Sequence, residues 1–222
     1  MAADPKTPLV WSLVIPVKLL AQAKTRLTGL DPERRSRLVL AMAADTVAAA
    51  LAADSVATVL VVTNDAVVRD AVWGLGAVVL ADQPGAGLNE ALGYGAGYAR
   101  QRWPSRGVCA VAGDLPAMRP AELAAALSAA AQLGEAFVPD ADGTGTALYA
   151  ATPGSPFRPR FGPSSRRRHL DNGAAEIASG VLTGLRRDVD TVDDLRAAAA
   201  IGLGPRTRAE LEQGCGMAAR RT

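Results

Sequence analysis

The chain has 222 residues, the size of one large domain, and 49% of them are hydrophobic, which indicates a globular core and excludes a disordered chain. A formal net charge of +2 gives no reason to expect nucleic acid or a membrane surface as a partner. The N-terminal residues lack a signal-peptide core, no segment is long and apolar enough to span a bilayer, and Cys109 and Cys215 suggest neither a metal site nor a structural disulfide. We therefore expect a soluble, cytoplasmic protein.

The first half of the chain alternates apolar runs with helical patterns. Lys18, Lys24 and Arg26 lie in a basic loop after the first run, and Asp31-Pro32-Glu33 is typical of a helix start. The predicted elements are a strand over 10–17, a loop over 18–28, a helix from 32 to about 53, a strand over 57–63, a helix capped by 64–65 that ends near 73, a strand over 77–80, a glycine-bearing loop over 82–89 and a helix ending near 103.

The second half continues this alternation. Thr191 and Asp194 have capping-box spacing, which leaves Asp190 just outside the cap. The predicted elements are a strand over the apolar run 108–112, a helix over 120–133, strands over 136–139 and 146–151, a functional loop over 153–163, a helix from a Ser164-Ser165 cap to about 179, a strand over 182–185 and a helix ending at 201.

The βαβ alternation predicts an α/β protein, a three-layer α/β/α sandwich on a mostly parallel sheet. We expect a flexible N-terminus over residues 1–8, one domain over 9–201 and a weakly ordered segment over 202–222.

Asp114 follows a buried strand in the sequence Gly113-Asp114-Leu115-Pro116, at the strand end where open α/β sheets bind ligands. Taken alone, Asp114 is equally compatible with a turn cap. Asp190 also follows a predicted strand, and a parallel sheet would gather both carboxylates on one side. Two such carboxylates suit Mg²⁺ together with phosphate oxygens, and the nearby basic loop suits a polyphosphate.

Other motifs indicate which kinds of binding site are compatible with the sequence. The basic loop is neither a Walker motif nor a dinucleotide fingerprint. His169 has no partner at metal-ligand spacing, and contact with an anionic ligand is its less favoured role. Gly162 to Ser165 at a helix start is typical of an anion site or of an ordinary serine cap, and Thr146 could add a hydroxyl donor.

Through these residues the chain resembles the CofC/FbiD family, the guanylyltransferases of deazaflavin coenzyme F-420 biosynthesis. That family is similar to nucleotidyltransferases with a GT-A-like Rossmann fold. The segments that carry the resemblance are Ile15-Pro16-Val17-Lys18, Ala23-Lys24-Thr25-Arg26-Leu27, Gly87-Leu88-Asn89, Gly113-Asp114-Leu115-Pro116, Arg160 to Ser165 and Asp188-Val189-Asp190-Thr191. The wider family often begins with a glycine-rich nucleotide loop, whereas this chain has Val17-Lys18-Leu19-Leu20.

The resemblance implies that a phosphorylated three-carbon acid attacks the α-phosphate of GTP and releases pyrophosphate. The acceptor implied for bacterial members is phosphoenolpyruvate, with 2-phospho-L-lactate or 3-phosphoglycerate in relatives. Asp114 and Asp190 would hold Mg²⁺. The other implied site residues are Lys18, Lys24, Arg26, Gly87 and Asn89 for the nucleotide, and Thr146, Gly162 and Ser165 for the acceptor.

Three matters stay open at this point. Base choice is expected in the 83–89 loop and near Thr63-Asn64, without a reason for guanine over adenine. The acceptor could instead be a sugar phosphate or a molybdopterin, and a catalytically silent nucleotide-binding or partner-binding protein could share the fold. The product would be a labile diphosphate diester, which suggests hand-off to a downstream transferase.

Overall fold

The structure, a computed structural model, describes residues 8–177 and 181–218. The strands are β1 (Trp11–Pro16), β2 (Val56–Val62), β3 (Val78–Leu80), β4 (Gly107–Val111), β5 (Glu135–Pro139), β6 (Thr146–Ala151) and β7 (Ala175–Glu176). The helices are α1 (Pro32–Leu51), α2 (Ala66–Trp73), α3 (Leu88–Arg102), α4 (Pro120–Leu133), α5 (Ser165–Asp171), α6 (Thr183–Arg186), α7 (Val192–Ile201) and α8 (Pro205–Ala218), with a short 3-10 turn at Leu20–Gln22. The predicted flexibility of residues 1–8 falls outside the described part of the chain, except for Pro8.

All seven strands belong to one sheet with the order β3-β2-β1-β4-β6-β5-β7. Every pairing is parallel except those of β6, which runs antiparallel to both β4 and β5. The chain moves outward from β1 to β3 and then crosses to the other side of β1, so β1 and β4 flank the topological switch point where such sheets bind ligands. Because β6 is antiparallel, its first residue, Thr146, lies at the edge where the parallel strands end.

Two apolar layers cover the sheet, which confirms the predicted three-layer sandwich. Leu13 and Ile15 of β1 face the layer that contains α1 and α4, whereas Val14 faces the layer that contains α3. All three side chains are fully buried. Central parallel strands are covered on both faces, which explains why the sequence shows continuous apolar runs rather than alternation.

The helix predicted from Ser165 to about Ser179 ends instead at Asp171, and β7 follows it. Gly173 has φ +85°, its N–H donates to Leu170 O at 2.9 Å, and the N–H of Ala174 donates to His169 O at 3.1 Å. These two bonds form a Schellman motif, which terminates the helix. The last part of that prediction, residues 178–180, lies outside the described residues.

The strand predicted over 182–185 is wrong, because Thr183–Arg186 is the short helix α6. The side chain of Glu122, on α4, accepts the N–H groups of Gly184 at 3.1 Å and Leu185 at 2.9 Å. A buried carboxylate 62 residues away in sequence therefore satisfies the first N–H groups of α6. After α6 the chain runs through residues 187–190 toward the carboxyl ends of the strands.

The structure also differs from the predicted weakly ordered segment over 202–222, since α8 occupies Pro205–Ala218. Asp45, a buried residue of α1, accepts the N–H groups of Arg206 at 3.2 Å and Thr207 at 2.8 Å. Asp45 thereby acts as a cap that comes from another helix. Residues 219–222 lie outside the described part.

Replacing Glu122 with Gln is expected to lower the free energy of unfolding by about 2–3 kcal/mol, because the amide can accept on one side only. The other side would place an NH₂ group against donors that the carboxylate now satisfies, which include the N–H of Arg119 at 3.3 Å. Urea denaturation measures the change. Glu33→Gln is the matched control, since Glu33 is exposed and pairs with Arg37 on the helix surface. Equal losses in both variants would contradict the role of Glu122.

Candidate active site

A cleft of about 690 Å³ opens at the carboxyl ends of β1 and β4, on the edge that the switch point indicates. Five loop segments contribute most of its lining. These segments lie within residues 16–26, 111–114, 140–146, 161–165 and 188–190. Lys18, Lys24, Arg26, Asp114, Thr146, Gly162, Ser165 and Asp190, eight of the predicted site residues, line this one cleft.

Asp114 and Asp190 meet at the ammonium group of Lys24, whose Nζ contacts one oxygen of each carboxylate. The backbone holds the two acidic segments together, because the N–H of Val189 donates to Asp114 O at 3.1 Å. Gly113 lets the end of β4 lie close to the end of β1, since a Cβ there would lie 3.0 Å from Pro16 O. The two carboxylates lie together as predicted, although the helix α6, and not the predicted strand, precedes Asp190.

Lys24 is well buried, with 14% of its side chain exposed. Burial alone lowers the pKa of its ammonium, but the charges and hydrogen bonds of Asp114 and Asp190 outweigh that effect and raise the pKa above its usual value. The lysine is therefore protonated. Its backbone has φ +53°, a left-handed conformation that is uncommon for a residue with a Cβ.

The two other basic residues of the loop are free to meet a ligand. Lys18 and Arg26 line the cleft and are exposed. Within the described ranges, neither forms an ion pair with a carboxylate, in contrast to Lys24. The cleft thus offers one paired and two unpaired positive charges.

Thr146 and Ser165 form the opposite wall. The Ser165 hydroxyl donates to Thr146 Oγ1 at 3.0 Å, and both side chains are buried. The predicted serine cap is wrong, because Ser164 has φ +55° and its side chain makes no cap hydrogen bond. The first N–H groups of α5 are already used, with Ser165 N–H donating to Gly162 O and Arg166 N–H donating to Thr144 O. The helix start therefore offers fewer free donors than the sequence suggested, and the hydroxyls gain importance.

The structure does not bring Gly87 and Asn89 into the cleft, although Leu88 between them lines it. The Asn89 amide donates to Phe161 O at 3.1 Å and accepts the N–H of Phe161 at 2.8 Å. Asn89 therefore fixes the backbone just before Gly162. This contact gives Asn89 a structural role, and the nucleotide role that the resemblance implies stays a prediction.

The two segments expected to select the base are joined at the ends of β2 and β3. The Asn64 amide donates to Asp82 O at 3.0 Å and accepts the N–H of Asp82 at 2.9 Å. Neither residue lines the cleft. The segment near Asn64 lies beside the basic loop, because the N–H of Leu20 donates to Asp65 Oδ2 at 2.9 Å. The role of both segments in base choice also stays a prediction.

Three further aspartates line the cleft and were not assigned from the sequence: Asp140, Asp142 and Asp188. The pKa of Asp188 is raised to about 7, first by burial and then by the negative charges of Asp114, Asp140 and Asp190. The spacing of Asp188 and Asp190 was the available signal, because alternate residues of an extended segment point the same way. In the described ranges no cluster of three or more His, Cys, Asp or Glu side chains is arranged to hold a metal ion.

His169 lies behind the wall rather than in the cleft, and it is fully buried. Its ring stacks on Tyr149 with centroids 4.7 Å apart and packs against Phe137 at 5.3 Å. Burial lowers its pKa to about 4, helped by the positive charges of Arg168 and Arg160, while the backbone of Ser165 acts in the opposite direction. The imidazole is therefore neutral at physiological pH.

This low pKa predicts an acid-sensitive contribution to stability. The native state holds neutral His169, whereas the unfolded chain takes up a proton near the usual pKa of about 6.5. The contribution is complete above about pH 6.5 and is lost as the pH falls toward 4, with a loss of about 2–3 kcal/mol. The stability difference between the wild type and His169→Asn, measured by urea denaturation, should shrink over that window. A pH-independent difference would contradict the assignment.

None of the described helices has the length and hydrophobicity needed to cross a membrane. Cys109 is a buried free thiol whose pKa is raised by burial. The side chain of Cys215, the other cysteine considered for a disulfide, lies outside the described residues.

Comparison with solved structures supports the fold. A protein from Desulfovibrio desulfuricans G20, described as a nucleotide-diphospho-sugar transferase, superimposes with a TM-score of 0.73 at 17% identity, covering 95% of this chain and 97% of that one. A 4-diphosphocytidyl-2C-methyl-D-erythritol synthase from Anaerococcus prevotii gives 0.55 at 11% identity, covering 87% and 96%. These likenesses establish a nucleotidyltransferase-type α/β fold.

Proteins of similar sequence identify the family as well as the fold. The chain is 57% identical to a phosphoenolpyruvate guanylyltransferase of Thermomonospora curvata over 201 residues, which cover 90% of this chain and 88% of the relative. It is 52% identical to the protein of the same name from Streptosporangium roseum, with 91% of each chain covered. The family described as "Guanylyl transferase CofC like" matches residues 11–209. The chain belongs to this family of CofC-like guanylyl transferases.

Proposed function

We propose that this protein transfers GMP from GTP to phosphoenolpyruvate, forming enolpyruvyl-diphospho-guanosine and pyrophosphate in the biosynthesis of coenzyme F-420. Relatives at 57% and 52% identity bear the name phosphoenolpyruvate guanylyltransferase, and the family matches residues 11–209. The observation that carries the proposal is the single cleft that holds Lys24, two carboxylates and two unpaired cationic side chains opposite buried hydroxyls. Such a cleft suits two phosphate-bearing substrates.

The reaction needs positioning and charge neutralisation more than a protein nucleophile. A phosphate oxygen of phosphoenolpyruvate bonds to the α-phosphorus of GTP while the bond from that phosphorus to the bridging oxygen breaks, and pyrophosphate leaves. The attacking oxygen is already anionic, so no general base is required. Lys18, Lys24 and Arg26 are the groups that would hold the triphosphate and the leaving pyrophosphate, since cations at developing negative charge lower the barrier.

The charge of the cleft supports a need for Mg²⁺. Five aspartates line it against three lysine and arginine side chains, so two polyanionic substrates would meet net negative charge. Asp114 and Asp190 supply hard oxygen donors that suit Mg²⁺, and they already converge on one cation, the Lys24 ammonium. The residues present therefore fit the metal, provided that Lys24 moves toward the phosphates. Bound Mg²⁺ would neutralise phosphate charge.

Thr146, Gly162 and Ser165 are the residues that we assign to the phosphate and carboxylate of the acceptor. Thr146 and Ser165 lie across the cleft from the basic loop, and Gly162, which also lines the cleft, adopts φ +112°, a conformation that favours glycine. Phosphoenolpyruvate, phospholactate and phosphoglycerate share both anionic groups. These residues therefore recognise the phosphate and carboxylate that all three acids share, and they do not distinguish one acid from another.

Two further features complete the proposal. The product is an activated diphosphate diester, and we propose its prompt hand-off to a downstream transferase that consumes it. We place the reaction in the cytoplasm, supported by the free thiol of Cys109 and by the nature of the substrates.

The test is pyrophosphate release with GTP, Mg²⁺ and each of the three acids separately, followed by mass detection of the guanylylated product. Release with phosphoenolpyruvate alone is the expected result. Release with another acid alone would replace the acceptor and keep the reaction. GTP binding without turnover, even with the downstream transferase present, would overturn the proposal in favour of a silent nucleotide-binding protein.

A further inference from the structure

The contacts of His169 determine which of its ring nitrogens carries the proton. The main-chain N–H of Arg160 donates to His169 Nε2 at 2.9 Å, and an N–H group cannot accept. Nε2 is therefore unprotonated, and the neutral ring carries its hydrogen on Nδ1. Nδ1 lies 3.0 Å from Thr146 Oγ1, so Nδ1–H donates to that oxygen.

This tautomer determines what the Thr146 hydroxyl can do. Its oxygen accepts one hydrogen bond from His169 Nδ1–H and a second, at 3.0 Å, from the Ser165 hydroxyl. A hydroxyl has two acceptor lone pairs and one hydrogen, so both lone pairs are occupied. No described group accepts the hydrogen of Thr146, and Thr146 lines the cleft. The hydroxyl can therefore act toward a ligand only as a donor.

The surrounding aromatic side chains hold the ring in this orientation. Tyr149 stacks on the imidazole at 21° between planes, and Phe161 meets it edge-on with centroids 5.8 Å apart. The charged groups near the ring, Arg160 and Arg168, lower its pKa. His169 thus joins two parts of the cleft wall, the Thr146 hydroxyl and the backbone that leads through Phe161 to Gly162.

We propose that His169 is a positioning residue for acceptor binding, which acts through Thr146 by presenting its hydroxyl as a donor to a phosphate or carboxylate oxygen. This inference rests on the proposed function only in placing the acceptor at Thr146. A ligand group that must itself donate a hydrogen bond to the Thr146 hydroxyl would be disfavoured. An anionic ligand oxygen, which accepts from that hydroxyl, would be favoured. The same geometry explains why a buried, neutral imidazole stands behind an anion site.

A spectroscopic test follows from the composition, because His169 is the only histidine in the 222 residues. In tag-free protein labelled with ¹⁵N-histidine, both ring nitrogen signals belong to this residue without further assignment. At neutral pH we expect Nδ1 to be protonated and Nε2 unprotonated, with the Nδ1 signal shifting when phosphoenolpyruvate is added. An Nε2-protonated ring, or a ring whose signals ignore phosphoenolpyruvate, would overturn the inference.

A double-mutant cycle tests whether His169 acts through Thr146. Calorimetry measures the affinity of Thr146→Val, His169→Phe and the double variant for phosphoenolpyruvate, which requires no turnover. Each single change is expected to weaken binding about 10–100-fold, and the double variant should bind no more weakly than Thr146→Val. Multiplied losses would overturn the inference, because they would mean that the two residues act independently.

Two controls keep the result specific. His169→Asn, whose amide can still donate to Thr146, should recover most of the affinity, and it serves in the cycle if His169→Phe does not fold. The KM for GTP should be unchanged in all folded variants, and an equal rise in both KM values would indicate general damage to the cleft. Pyrophosphate release by the wild type reports on the proposed function separately, so that function can fail while the ring tautomer and the binding cycle still decide the role of His169.

Discussion

Asp114→Asn is expected to lower guanylyl transfer by about 10³-fold while the protein stays folded. The change removes the charge that meets Lys24 and that would hold Mg²⁺, but it keeps the size and the backbone contacts of the residue. Those contacts are independent of the carboxylate: Val189 N–H donates to the carbonyl of residue 114, and Leu115 N–H donates to Thr46 Oγ1 at 3.1 Å. Pyrophosphate release gives the rate, and thermal unfolding followed by circular dichroism checks the fold.

Asp193→Asn is the matched control, because Asp193 lies near the same segment but is exposed and pairs with Arg196 on α7. Its turnover should equal that of the wild type. Asp190→Asn should behave like Asp114→Asn, since both carboxylates meet at one ammonium. Turnover by Asp114→Asn at the wild-type rate would remove the charge and metal roles assigned to that carboxylate.

Short sequence patterns predicted most of the elements that place Asp114 and Asp190 in the cleft. The apolar run before Gly113 predicted β4, and helix α4 occupies Pro120–Leu133, the range that the sequence indicated. The Thr191 and Asp194 capping box is present, which is why Asp190 is left free to face Lys24. These features depend on neighbours within a few residues, so the sequence contains the necessary information.

The errors arose where distant side chains decide the local structure. Glu122 supplies the cap of α6, and Asp45 supplies the cap of α8 from 161 residues away. The sequence around residues 182–186 and 205–218 gives no sign of either distant capping residue. The first segment was therefore predicted to be a strand and the second to be weakly ordered. The premature end of α5 is different, because Asn172-Gly173 was a readable stop signal.

His169 shows the same limit within the site. Contact with an anionic ligand was its less favoured role from the sequence, and no pattern indicated the place that the structure gives it, buried among Phe137, Tyr149 and Phe161. The aromatic residues come from two strands and a loop that only the tertiary fold brings together. The residues that line the cleft were therefore more predictable from the sequence than the residues that hold the lining in place.

Lys24→Met is expected to lower turnover by about 10²–10³-fold and to make the nucleotide-free protein about 1–2 kcal/mol less stable. The first effect follows from losing a cation at the phosphates. The second follows because two carboxylates that share the Lys24 ammonium would be left facing each other, although Asp190 is 51% exposed and water would relieve part of the repulsion. Steady-state pyrophosphate release and urea denaturation measure the two changes.

The same variant separates the charge of Lys24 from its place between the carboxylates. In the wild type, Mg²⁺ added without nucleotide must displace an ammonium that both carboxylates hold, whereas in Lys24→Met the carboxylates are open to the ion. Added Mg²⁺ should therefore raise the melting temperature of the variant more than that of the wild type. Arg69→Met removes one positive charge outside the lining of the cleft, where Arg69 pairs with Asp70, and it should respond like the wild type. Equal stabilisation of all three proteins would mean that Lys24 does not occupy a cation site, and the movement of Lys24 toward the phosphates would then lose its physical basis.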